Sequence, residues 1–148
     1  MKHQNSKSTA QLLIVDDDQL VRDFAVHTLE YGMNRRILTF ESGFDAWQFI
    51  HEHPDKVDII IADANIPDMD GFELLKHVKS ALQDKFFIIT ASDAELEEAA
   101  SENNADAFIT KPYDATDLFT LIRKINNTAK TPSEEKIAVF RENRSPAE

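Results

Sequence analysis

Five polar side chains stand at the ends of short apolar runs that have the composition of buried strands. Asp16 and Asp17 follow one run, Asp63 ends a second, and Thr90 and Lys111 end two more. Because the carboxyl ends of parallel strands lie along one edge of a sheet, we expect these side chains to meet there. Crowded carboxylates stay ionised only beside a compensating cation, and an all-oxygen ligand set suits Mg²⁺.

Phosphoryl binding is the chemistry that this edge predicts. Lys111 would add a positive charge and Thr90 a hydroxyl donor, which with a magnesium ion form a suitable host for a phosphoryl group. Asp63 could itself be the nucleophile, since a carboxylate can form an acyl phosphate. Each residue alone is also explained as a turn, cap or loop residue. The functional prediction therefore depends on their recurrence at one edge.

The elements that would position these residues alternate as strand and helix five times. Short connections between them predict a parallel sheet with helices on both faces. Five strands in about 120 residues favour an α/β, flavodoxin-like (βα)5 doubly wound sheet with strand order 2-1-3-4-5. The predicted strands are residues 11–15, 36–40, 57–63, 86–90 and 107–110.

Capping residues and helical periodicity predict the bounds of the helices. Ser42 and Asp114 are expected N-caps of the second and fifth helices, and Ser92 with Glu95 has the form of a capping box for the fourth. Gly32 is expected to end the first helix. That helix is predicted to carry one apolar face, formed by Leu20, Val21, Phe24, Ala25, Thr28 and Leu29.

Length and composition predict one soluble domain. A chain of 148 residues with 42 % apolar content can bury a core, and no apolar run approaches the roughly 20 residues of a membrane-spanning helix. The absence of cysteine excludes disulfides, thiol chemistry and cysteine-based zinc sites. We expect a polar segment at 1–10, one domain at 11–128, and a polar tail at 129–148 that is too short for an output domain.

The net charge of −11 limits the partners that this chain is expected to bind. An acidic surface argues against direct binding of nucleic acid and suits a divalent cation or a basic partner, although solubility alone also explains it. The first residues lack the apolar stretch of a signal peptide. The sequence therefore predicts a cytoplasmic protein without a membrane segment.

Four motifs together resemble the receiver domain of the two-component response regulators. They lie at residues 14–17, 63–71, 89–91 and 110–112, and the resemblance covers about 11–128. The segment Asp-x-Asn-x-Pro-x-Met-Asp-Gly is highly specific, and the others are strong in combination. The resemblance implies a phosphorylation-activated switch of a phosphorelay. It is not an enzyme in the ordinary sense, although it takes part in its own phosphorylation and dephosphorylation.

The resemblance also implies a cofactor and partners. Asp63 would accept the phosphoryl group from a histidine kinase or a histidine phosphotransfer protein. Asp16 and Asp17 would hold Mg²⁺, together with Asp63 and the backbone carbonyl of Asn65. Lys111 would bind the phosphoryl oxygens, and an unidentified downstream protein would recognise the result.

Switching residues follow from the same resemblance. Thr90 would move towards the phosphoryl group, and Phe108 would follow as an aromatic switch on the fifth strand. Ala91 leaves room for the phosphoryl group, while Asn65 and Ser92 would tune dephosphorylation. The surface of the fourth helix, fifth strand and fifth helix would carry the change.

Two departures from the family pattern are visible. Asp106 stands where the family often has glycine, so the loop before the fifth strand is expected to differ. The fourth helix lacks the basic partners with which the transcription-factor subgroup dimerises across this face, so that dimer is not predicted. Its acidic residues are Glu95, Glu97, Glu98 and Glu102.

Three other interpretations remain open. A haloacid-dehalogenase-like phosphatase would use Asp16 and Asp18 but leaves the segment at Asp63 unexplained. A phosphorylation-independent docking receiver would not need the full acidic set or Lys111. A flavodoxin would need a Ser/Thr/Gly-rich phosphate loop after the first strand, which is missing here.

Overall fold

The computed structural model describes residues 11–33 and 36–127, so the predicted terminal segments at 1–10 and 129–148 lie outside the described residues. No helix within the described part is long and apolar enough to cross a membrane. The strands are β1 (Leu12–Val15), β2 (Ile37–Phe40), β3 (Ile59–Asp63), β4 (Phe86–Ala91) and β5 (Ala107–Thr110). The helices are α1 (Gln19–Met33), α2 (Gly43–Glu52), α3 (Gly71–Ala81), α4 (Leu96–Glu102) and α5 (Ala115–Asn127), with a short 3₁₀ turn at Pro54–Lys56.

The strands form one parallel sheet in the order β2-β1-β3-β4-β5, which confirms the predicted flavodoxin-like fold. Strands β1 and β3 are buried along their whole length, as their unbroken apolar sequences require. The register pairs Asp63 with Thr90 across β3 and β4. The carboxyl ends of the central strands therefore meet at one edge.

The core lies on both faces of this sheet because successive strand residues point to opposite sides. In β1, Leu13 and Val15 belong to one layer, and Leu12 and Ile14 to the other. The first layer contains Phe108, which is 1 % exposed. A rigid two-sided core thus supports the edge at which the polar side chains stand.

Two predicted helix caps are confirmed. The Ser42 hydroxyl accepts a hydrogen bond from the Asp45 N–H at 3.2 Å. The Asp114 carboxylate accepts from the Asp117 N–H at 2.9 Å, and Asp117 accepts in return from the Asp114 N–H at 3.0 Å. Both caps begin helices where the local sequence alone predicts them.

The predictions for Gly32 and for the Ser92–Glu95 capping box were wrong. Helix α1 continues through Gly32 to Met33. A Cβ atom at Gly32 would lie 2.3 Å from the ring of Phe119 on α5, so the glycine serves close packing. Helix α4 begins only at Leu96, without a side-chain cap. The Asp93 carboxylate accepts from the Glu95 N–H at 2.9 Å, so a local turn forms first.

The predicted apolar face of α1 is only partly buried. Ala25 and Leu29 are fully buried, whereas Leu20 is 80 % and Phe24 is 41 % exposed. Leu20 lies in the first turn of the helix, ahead of the residues that pack on the sheet. Phe24 contacts the ring of Tyr113 at 6.3 Å between centroids. The apolar face of α1 therefore extends beyond the part of the helix that packs against the core.

Asp106 anchors the loop before β5. Its carboxylate accepts from the Phe87 N–H at 2.8 Å and from the Lys79 ammonium at 2.7 Å. Lys79 also donates to the Lys85 carbonyl at 3.1 Å. These bonds tie α3, β4 and β5 together at the edge opposite the predicted site.

Candidate functional site

Three carboxylates meet at the carboxyl edge of the central strands. Asp63 is the last residue of β3, and Asp16 and Asp17 directly follow β1. Oxygen atoms of all three lie within 4.8 Å of one another. Asp16 and Asp63 are 2 % and 8 % exposed, while Asp17 is exposed. One of the three is therefore open to solvent and two are held in the fold.

Lys111 bridges the two buried carboxylates. Its ammonium lies 2.9 Å from Asp16 Oδ2 and 3.0 Å from Asp63 Oδ2. The Lys111 N–H donates to the Ala91 carbonyl at 2.8 Å, which fixes the start of the β5–α5 loop against β4. The sheet register thus aims the ammonium at the site.

The electrostatics of the cluster show a shortage of positive charge. Burial raises the pKa of the Asp16 carboxyl; the Asp18 N–H and Lys111 oppose this, and the charge of Asp63 adds to it. Burial alone would lower the pKa of Lys111, but its bonds to the two carboxylates outweigh burial and raise it. Three carboxylates and one ammonium carry a net charge of −2 when ionised. Such a site favours a divalent cation.

Arg22 holds the backbone of Asp16 and was not predicted as a site residue. Its guanidinium donates to the Asp16 carbonyl at 2.7 Å and lies 3.8 Å from the Glu41 carboxylate. The Asp16 N–H donates to the Phe40 carbonyl at 3.1 Å. Both backbone groups of Asp16 are therefore fixed. In the sequence, Arg22 is only a charged residue beside the apolar face of α1. An arginine that is simply exposed to solvent would give the same pattern, so the sequence alone does not reveal this role.

The β3–α3 loop (residues 64–70) forms the next wall of the site. The Asn65 N–H donates to Asp63 Oδ1 at 3.3 Å. Gly71 closes the loop, since its N–H donates to the Ala64 carbonyl at 3.1 Å. A Cβ atom at Gly71 would lie 2.4 Å from the Asp63 carbonyl oxygen, so a side chain there would displace the strand end. The glycine of the motif is thus required by close backbone approach.

An open cleft of about 670 Å³ lies over the carboxylates of Asp17 and Asp63. Its polar lining includes Asp63, Asn65, Ser92 and Lys111, and Phe72 contributes apolar surface. The cleft is large enough to admit a phosphoryl group with its water.

Thr90 and Phe108 lie behind this cleft and do not line it. Thr90 is 2 % exposed, and its carbonyl accepts from the Ala64 N–H at 2.8 Å. Phe108 belongs to the core layer beneath β4 and β5. Ala91, the residue after Thr90, does line the cleft. The structure thus gathers the predicted acidic residues, Asn65, Ser92 and Lys111 at one site, with the predicted switch residues buried next to it.

The comparisons with known proteins agree with this geometry. The response regulator receiver domain family matches residues 12–123. A two-component response regulator of Arabidopsis thaliana is 27 % identical over 138 residues, which are 90 % of this chain and 22 % of that protein. The chain therefore spans about a fifth of the length of this curated relative.

Solved structures give the same result. The receiver domain of a LuxO repressor protein from Vibrio parahaemolyticus is 26 % identical, with a TM-score of 0.74 over 82 % of this chain and 93 % of that one. A CheY-like receiver domain protein from Methanospirillum hungatei is 25 % identical, with a TM-score of 0.74 over 82 % and 97 %. This chain belongs to the receiver domain family of two-component response regulators.

Proposed function

We propose that this receiver domain is a phosphorylation-activated switch whose phosphoryl acceptor is Asp63. The observation that carries the proposal is the position of the Asp63 carboxylate. It opens into the cleft, lies 3.0 Å from the Lys111 ammonium, and is within 4.8 Å of the carboxylates of Asp16 and Asp17. The donor is a phosphohistidine of a histidine kinase or a histidine phosphotransfer protein.

The residues present fit a magnesium ion. The clustered carboxylates of Asp16, Asp17 and Asp63 offer oxygen ligands, the donor type that Mg²⁺ prefers, and the backbone carbonyl of Asn65 would add a fourth. Their exposed side faces the cleft, which leaves room for the waters that Mg²⁺ retains. When bound, the ion supplies the positive charge that the cluster lacks and neutralises oxygens of the incoming phosphoryl group.

The transfer balances as one displacement at phosphorus. An Asp63 carboxylate oxygen forms the new P–O bond while the P–N bond to the donor imidazole breaks. The imidazole nitrogen keeps the bonding electron pair and takes a proton from solvent. Lys111 turns from Asp63 towards the phosphoryl oxygens and offsets their charge. Hydrolysis later reverses the modification. Asn65 and Ser92, which line the cleft, would tune its rate.

Switching follows from the added charge. The phosphoryl group brings roughly −1.5 to −2 charge and new acceptor oxygens. It stabilises the conformer in which the Thr90 hydroxyl and Lys111 reach it, and Phe108 repacks with Thr90. The changed surface of α4, β5 and α5 controls a downstream protein rather than nucleic acid.

The domain bounds 11–128 and the cytoplasmic location stay predictions.

Phosphorylation by a small donor tests this function. Acetyl phosphate with Mg²⁺ should add the mass of one phosphoryl group, in a bond that base cleaves. Asp63→Asn should abolish the adduct, whereas Asp84→Asn, an exposed aspartate whose side chain is 78 % accessible, should retain it. If acetyl phosphate leaves the parent protein unmodified, the result favours the interpretation as a phosphorylation-independent docking receiver. Steady turnover of a phosphate ester that Asp16→Asn abolishes favours the phosphatase.

A further inference from the structure

The β3–α3 loop has its own internal turn next to the acidic cluster. Asp68 adopts a left-handed backbone with φ 72°, a conformation that aspartate, asparagine and glycine tolerate best. The Met69 N–H donates to the Pro67 carbonyl at 2.8 Å. Asn65, whose carbonyl is the proposed metal ligand, is exposed. Ala64 and Ile66 on either side of Asn65 are buried, whereas Pro67 and Asp68 are exposed, so the second half of the loop depends on contacts from other elements.

The start of α2 supplies these contacts. The Ser42 hydroxyl donates to Asp68 Oδ2 at 2.7 Å, and the Gly43 N–H donates to the Pro67 carbonyl at 3.3 Å. A Cβ atom at Gly43 would lie 1.7 Å from the Met69 carbonyl oxygen, so only glycine permits this approach. Gly43 is buried, whereas the bond between Ser42 and Asp68 lies near the surface.

We propose that Ser42 and Gly43 are positioning residues that hold the β3–α3 loop against α2 and thereby place the Asn65 carbonyl beside Asp63 for the cation. The proposal rests on the proposed function, because it deepens the account of the same metal site. Mg²⁺ demands near-ideal octahedral geometry. A loop released from α2 would hold the carbonyl less often in the geometry that the ion requires, so the affinity for Mg²⁺ would fall.

Ser42 has two roles that variants can separate. As the N-cap of α2 it accepts from the Asp45 N–H, and as a clamp it donates to Asp68. Ser42→Asp keeps the cap but cannot donate, and it sets a like charge beside Asp68. Asp68→Gly removes the acceptor, tolerates the left-handed backbone and leaves the cap intact. Ser42→Thr keeps both roles, and Ser80→Ala on α3 controls for loss of an exposed hydroxyl.

Three measurements test the proposal. Calorimetric titration with Mg²⁺ should show about fivefold weaker binding for Ser42→Asp and for Asp68→Gly, and parent-like binding for Ser42→Thr and Ser80→Ala. In metal-free protein, hydrogen exchange of the Gly43 and Met69 amides should accelerate in the two weakened variants. Labelling of these two variants by acetyl phosphate should be slower than that of the parent at low Mg²⁺ and should reach the parent's rate at saturating Mg²⁺.

Any of three results would overturn the clamp. The first is unchanged affinity for Mg²⁺ in both Ser42→Asp and Asp68→Gly, and the second is unchanged exchange of both amides. A labelling defect that saturating Mg²⁺ does not repair also contradicts it, because the defect would then not lie in binding the cation. Failure of the parent protein to form any adduct would instead refute the proposed function, and the titration would still decide the role of Ser42.

Discussion

Replacing Lys111 by methionine removes the cation that bridges the two buried carboxylates. The Lys111 side chain is 14 % exposed, and its ammonium contacts Asp16 and Asp63, whose side chains are 3 % and 11 % exposed. Without the Lys111 ammonium, the carboxylates of the cluster keep their negative charge but lose the cation that pairs with them. We expect metal-free Lys111→Met to be less stable than the parent, and Mg²⁺ to restore part of the loss.

The magnitude follows from the distances. Two like charges at the 4.8 Å limit of the cluster repel by about 3 kcal/mol at an effective dielectric constant near 20. Breaking one side of a buried ion pair costs about 3–5 kcal/mol. Because Asp17 is exposed and Asp16 can take up a proton, we expect a loss near the lower end, about 3 kcal/mol. That loss corresponds to roughly a 10 °C fall in melting temperature.

Thermal unfolding with and without Mg²⁺ measures both effects. Lys79→Met is the matched control, because Lys79 is 21 % exposed and also pairs with a carboxylate, that of Asp106, at the opposite edge of the sheet. It should lose stability but keep the parent's response to Mg²⁺, whereas Lys111→Met should gain more from Mg²⁺ than the parent does. An equal gain from Mg²⁺ in all three proteins would refute the reasoning.

Three further predictions concern other parts of the fold. Asp106→Ala should lower the free energy of unfolding in urea by about 2–3 kcal/mol, because the Phe87 N–H loses its acceptor. Arg22→Met should weaken Mg²⁺ binding about fivefold in calorimetry, because the Asp16 carbonyl is released. Burial, and then the negative charge of Asp16, raise the pKa of the Tyr113 phenol from 10.0 to about 12. The folded state therefore keeps a proton that the unfolded state loses, and stability should fall between those pH values, less steeply in Tyr113→Phe.

Each of these predictions has a contradicting result. Unchanged urea stability of Asp106→Ala would show that water replaces the lost acceptor. Unchanged affinity for Mg²⁺ in Arg22→Met would show that Phe40 alone fixes Asp16. Identical alkaline unfolding of the parent and Tyr113→Phe, or an absorbance titration without a phenol near pH 12, would contradict the account of Tyr113.

The sheet and its acidic edge were predictable because their signals are local. An unbroken apolar run such as β3 indicates a buried parallel strand, and the alternation with helices restricts the topology. Once the strands are parallel, Asp16, Asp63 and Lys111 must come to one edge whatever their separation in sequence. The contacts at this edge therefore follow from topology rather than from details of the loops.

The roles of the residues that support the site and the helices were harder to predict, because most of them depend on contacts with residues distant in sequence. The local sequence predicts a helix end at Gly32, but the role of this glycine depends on the ring of Phe119 on another helix. The bond between Ser42 and Asp68 joins two loops whose geometry no local pattern reveals. The capping box predicted at Ser92 failed for a local reason instead, because the neighbouring Asp93 carboxylate accepts from the Glu95 N–H and forms a competing turn.

The most direct test of the central claim locates the phosphoryl group on the chain. Protein treated with acetyl phosphate and Mg²⁺ is reduced with borohydride, which converts an acyl-phosphorylated aspartate to homoserine, and its peptides are sequenced by mass spectrometry. We predict homoserine at position 63 alone, dependent on both acetyl phosphate and Mg²⁺. Homoserine at position 16 or 17, or an adduct that survives in Asp63→Asn, would contradict the assignment of Asp63 as the acceptor.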